Sequence, residues 1–167
     1  TQPVTVTETY AVDAEDLKDK TYHIISWLLP EASDVKLRLG MRLAEGILLE
    51  DSSSPLRHYL ETCGYAQSTG PILGVDDSNF EMTFFCGVQG SNPEHAEEFK
   101  NGVFNILEDV ASKPVDTAMV DAILHQIELH QREINGDGTP YGLSLILNGL
   151  GSAIHHSDPI HVWDVDT

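Results

Sequence analysis

Basic residues are scarce in this chain: 9 Lys and Arg stand against 27 Asp and Glu, a formal net charge of −18 over 167 residues. Nucleic-acid binding and attachment to an anionic membrane both need clustered Lys and Arg, so neither a nucleic-acid nor a membrane partner is expected. Basic partners are favoured instead, although an acidic surface is also an ordinary device for solubility. Cysteine is scarcer still. Cys63 and Cys86 lie far apart and neither belongs to a Cys-x-x-Cys pair, so no disulfide framework or zinc ribbon is indicated and both read as reduced core residues. No run approaches the roughly 18 apolar residues of a membrane span, and no basic-then-apolar opening marks a signal peptide. The chain reads as soluble, with its compartment left open.

Several catalytic signatures are missing as well. No Gly-x-Ser-x-Gly elbow occurs, and Ser54 reads as a helix cap. The loop Asn135-Gly136-Asp137-Gly138 lacks the Lys-Ser or Lys-Thr of a phosphate loop and the spaced oxygen ligands of a calcium loop, so it reads as a turn. The run His125-Gln126-Ile127-Glu128-Leu129-His130 nearly spells the zinc-peptidase motif His-x-x-Glu-His and misses it by one residue. At about 100° per residue, His125 and His130 stand about 140° apart around a helix, too far for one metal to reach both. A solvated helix face explains them better, with Glu128 and Arg132 spaced for a surface pair. Met119, Val120, Ile123, Leu124, Ile127 and Ile134 form the expected core stripe opposite. The cluster His155, His156 and His161 has enough imidazole to bind a divalent metal, but short His clusters commonly lack a fixed geometry.

What remains is a core: 41% of the residues are hydrophobic, enough for one ordinary domain over 1–167. Val4-x-Val6 and Tyr22 to Leu29 read as strands, the second ending at Pro30. Ser33 or Asp34 caps a helix whose row Val35, Leu39, Leu43, Ile47 is expected inward. Ser54-Pro55 opens a short helix with Leu56, Tyr59, Leu60 and Cys63 on one face and Gly64 as its stop. Gly70 to Val75 and Phe80 to Val88 flank the polar turn Asp76-Asp77-Ser78-Asn79 and read as an antiparallel hairpin with one buried face. Asn92-Pro93 starts a helix with Phe99, Val103, Ile106, Leu107 and Val110 inward; Asp116 caps the next, and a last helix runs from Tyr141 to Leu150. The pattern predicts an α+β fold, an antiparallel sheet with helices packed on one face.

Particular stretches add a resemblance: Trp27-Leu28-Leu29-Pro30, Glu45-Gly46-Ile47-Leu48-Leu49, Ser53-Ser54-Pro55-Leu56-Arg57, Gly74-x-Asp76-Asp77-Ser78, Gly87-Val88-Gln89-Gly90 and Gly136-Asp137-Gly138-x-Pro140-Tyr141-Gly142-Leu143-Ser144-Leu145. Together they make nearly the whole chain similar to the presequence-protease branch of the insulinase/pitrilysin zinc-metallopeptidase family. The order of the segments resembles the second, catalytically silent domain of that family's four-domain enzymes, in which the first domain carries the zinc motif.

That resemblance implies an excerpt of a much larger peptidase, with zinc bound outside this segment and no cofactor within it. No residue here matches a zinc ligand or the catalytic Glu, so no catalytic, cofactor-binding or metal residue is assigned. The implied role is to shape the peptide-digesting chamber and support the zinc domain. Other domains of the parent chain and peptide substrates, including basic ones, are the implied partners. The alternative is a stand-alone, non-catalytic assembly module of the same fold. An isolated copy is open to self-association through any apolar patch left exposed.

Overall fold

The computed structural model describes residues 2–13, 15–132, 140–155 and 158–160, the side chains of His130, Gln131, Arg132 and Asn148 excepted. The expected α+β fold is found, an antiparallel sheet with helices on one face. The hairpin strand is its axis. Strand β4 (Glu81–Ser91) takes β1 (Thr21–Glu31) along one edge, while β2 (Ser68–Thr69) and β3 (Gly74–Asp76) pair with it as well, all antiparallel. Alternation in β4 turns Met82, Phe84, Cys86 and Val88 to one side, where all four are buried. Opposite them on β1, His23, Ile25 and Trp27 sit in register with Val88, Cys86 and Phe84. Pro30 lies inside β1 rather than ending it. An edge strand tolerates a residue with no N–H to donate, and the pairing shifts register between Leu28 and Glu31 around it.

Helices α1 (Val35–Leu49), α2 (Pro55–Thr62) and α3 (Ala96–Ser112) supply the core that the sheet covers. Leu56, Leu60, Phe99 and Val103 are buried, and His23 stacks on Phe99 with ring centroids 5.8 Å apart. The N-terminus of α1 is capped as expected, by Asp34, whose Oδ1 accepts the Leu37 N–H at 3.0 Å. Ser54 stands at the N-cap position of α2, but its hydroxyl accepts the Asp51 N–H at 3.2 Å and bonds no helix amide. Gly64 follows α2 with φ of +79°, the left-handed stop that glycine adopts without strain.

Three further sequence expectations turn out differently. Residues 2–13 form no strand, because no described strand lies alongside Val4 and Val6 to complete a ladder, and both are exposed. Of the expected row Val35, Leu39, Leu43, Ile47, the first two are exposed and the last two half-buried, whereas Leu37, Met41 and Leu48 pack on the core. In α4 (Thr117–Arg132) the inward stripe is narrower than expected. Ile123 is buried and Val120 and Ile127 are half-buried, but Met119 is exposed and Leu124 is 36% exposed. The helix meets α1 along a single line, where a Cβ on Gly46 would come within 3.0 Å of the Ile123 side chain. Ile134 and the loop Asn135-Gly136-Asp137-Gly138 lie outside the described residues.

Helix α5 (Tyr141–Ile154) carries no charged residue, yet Leu143, Ile146, Leu147, Leu150 and Ile154 are all exposed. A helix of that composition ordinarily lies in an interior. The sheet face turned away from the helices is also apolar, with Ile24 47% and Leu28 62% exposed on β1. Among the described residues, no helix is long and apolar enough to cross a membrane.

Candidate functional site

The near-miss motif sits on α4 with the His125 side chain 69% exposed and its Nδ1 3.9 Å from Glu128 Oε2. His130 shares the helix, its side chain outside the described residues. His155 closes α5, where its N–H reaches the Gly151 and Ser152 carbonyls and its ring meets Phe80 edge-on at 5.7 Å. His156 and His161 lie outside the described residues. The other imidazoles have structural neighbours: His23 Nε2 lies 3.0 Å from the Asn92 carbonyl, His58 Nδ1 3.2 Å from the Ser52 carbonyl, and His95 Nδ1 2.9 Å from Glu98 Oε2. Among the described residues no three His, Cys, Asp or Glu side chains converge to hold a metal ion. They do not fit the zinc site of a peptidase, which needs three protein ligands and an open position.

Cys63 and Cys86 are free thiols. Cys86 is fully buried, and burial alone pushes its thiol up to about 12. Such a thiol is inert at neutral pH. Cys63 is half-buried beside a pair of phenols, Tyr59 and Tyr65, whose hydroxyls are 2.6 Å apart. Burial first, then the Tyr59 hydrogen bond, drives the Tyr65 phenol well above its ordinary range, and the ring stacks on His95 at 5.2 Å. The two phenols stay neutral, and Tyr59 of α2 packs against Gly102 of α3.

The second polar cluster joins α1 to the hairpin. Arg42 Nη1 donates to Glu45 Oε2 at 3.1 Å and Nη2 to Asp77 Oδ1 at 3.0 Å, while Glu45 Oε1 accepts the Val75 N–H at 3.2 Å. Gly74 makes that approach feasible: its φ is +93°, and a Cβ there would fall 1.9 Å from Glu45 Oε1. The three-residue spacing of Arg42 and Glu45 was a legible sign of a helix pair, but the long-range partners Asp77 and Val75 had no local signal. An open groove of about 550 Å³ lies beside this cluster, lined by Ser33, Arg38 and Arg42 on one side and Leu147, Leu150 and Ile154 on the other.

Comparison with known proteins agrees with this architecture. The family model described as the peptidase M16 inactive domain matches residues 1–127. Presequence protease 1, chloroplastic/mitochondrial, of Arabidopsis thaliana is 29% identical over 160 residues, 95% of this chain and 15% of its own length. Protein HypA of Clostridium perfringens is 25% identical over 152 residues, 90% of this chain and 15% of its length. The mitochondrial presequence protease of Xenopus laevis is 23% identical over 152 residues, 91% of this chain and 14% of its length. The chain thus spans about 15% of the length of these relatives. With 127 of 167 residues matched by the family model, the chain belongs to the peptidase M16 inactive-domain family, the insulinase-type metallopeptidases' catalytically silent domain.

Proposed function

We propose that this chain is a silent domain of a larger zinc peptidase, helping to wall its peptide-digesting chamber and to support the domain that binds the metal. The observation that carries this reading is the uncovered apolar surface of a family member that fills only 15% of its relatives' length. Ile24 and Leu28 on the outer sheet face form the surface that the rest of the parent covers. Hydrolysis resides elsewhere in the parent, where zinc, when bound, supplies an activated water for attack on a peptide carbonyl. This domain contributes shape and charge. Its net charge of −18 raises the local concentration of basic peptides, an effect that salt screens.

Ile24→Asp and Leu28→Asp test the reading, since both side chains are exposed here and covered in the proposed assembly. In the parent chain each substitution is expected to lower the thermal midpoint and the peptide turnover, with the melting of the 167-residue chain alone unchanged. A parent indifferent to both would remove the assigned interface.

A further inference from the structure

The groove between α1 and α5 combines two features that point to one kind of ligand. Its α1 side carries Arg38 and Arg42, two of only 9 basic residues in a chain of net charge −18. The two are not equivalent. Arg42 is committed to Glu45 and Asp77, whereas Arg38 has no ion-pair partner among the described residues. A guanidinium with five donors and no carboxylate to meet is an open seat for one. Across the groove, Leu147, Leu150 and Ile154 offer an aliphatic wall.

We infer that this groove binds the C-terminal residue of a peptide, Arg38 taking the terminal carboxylate and the α5 wall taking an aliphatic last side chain. A chain end presents carboxylate and side chain from one Cα, so a single residue satisfies both walls. An internal Asp or Glu puts its charge on the side chain and leaves the aliphatic wall without a partner from the same residue. A polyphosphate is a poorer match, because it would set several charges against those leucines and close to Asp77. The volume of about 550 Å³ suits such a small ligand. Gly151 lies in the α5 wall, where a Cβ would meet no atom within 4 Å, so the groove is open at that point.

This assignment deepens the reading of the parent as a peptide-handling protein and rests on it for the source of the ligand. It is tested on the parent chain by fluorescence anisotropy, with a chelator present to prevent cleavage. The probe is an N-terminally labelled peptide ending in Leu, supplied as the free acid and as the amide. The acid is expected to bind about tenfold more tightly than the amide, the usual worth of a hydrogen bond to a charged group. Arg38→Gln should abolish that preference by weakening only the acid. Gly151→Leu, at a position where a Cβ meets no atom within 4 Å, should weaken both probes by occupying the groove. Equal affinity for acid and amide, or a preference that survives Arg38→Gln, overturns the assignment. A parent that cuts no peptide when the chelator is omitted instead overturns the proposed function, and leaves the acid-over-amide comparison intact.

Discussion

Single residues in this chain do structural chemistry where a reader of the sequence looks for catalytic chemistry. His125 has the spacing of a failed zinc ligand and projects into solvent, and Cys86 is a nucleophile by type but a core methyl by environment. Burial raises the Cys86 thiol from an ordinary 9.0 to about 12, which ties it to stability. The folded state favours the neutral thiol, so the contribution is complete below pH 9 and is lost as pH rises through the folded value near 12. At pH 8 a thiol reagent should therefore label Cys63 in the native protein and Cys86 only after unfolding. Rapid native labelling of Cys86 would show that the sheet and α3 do not close over it.

Elements were legible where their apolar residues line a single face. Strand β4 and helices α2 and α3 follow their apolar spacing, since each has apolar residues along one face and buries that face. Helices α1 and α4 do not, because a pattern with apolar residues on more than one side fixes a helix but not its rotation. In α1 the sequence pointed to the Val35 row, and packing on the core instead takes Leu37, Met41 and Leu48. In α4 a single seam against α1 selects Ile123 and leaves Leu124 outside. Urea unfolding of the 167-residue chain checks this. Leu60→Ala, at 1% exposure, should cost about 2 to 5 kcal/mol, and Leu124→Ala less than about 1 kcal/mol. Equal costs would mean that α4 is rotated from the orientation described. The Arg42, Glu45 and Asp77 cluster was hidden because it joins positions 35 residues apart, and only the folded hairpin brings them together.

At the scale of the whole molecule, surface and charge point in one direction. The chain has a small core on one sheet face and a bare apolar face on the other, a surface that the proposed parent would cover. The chain belongs to the peptidase M16 inactive-domain family, and no converging metal ligands are found among the described residues. Most of this could be read from the sequence through its resemblance, but the exposed faces could not, since exposure depends on which elements find partners. The central claim is that this domain supports peptide hydrolysis without performing it. The measurement that tests it most directly is zinc content together with peptide turnover, for the 167-residue chain and for its parent, after equilibration with zinc and desalting. The account predicts a parent that holds zinc and cleaves peptides, and a chain that alone does neither. One zinc per isolated chain, or turnover by it, would contradict the account.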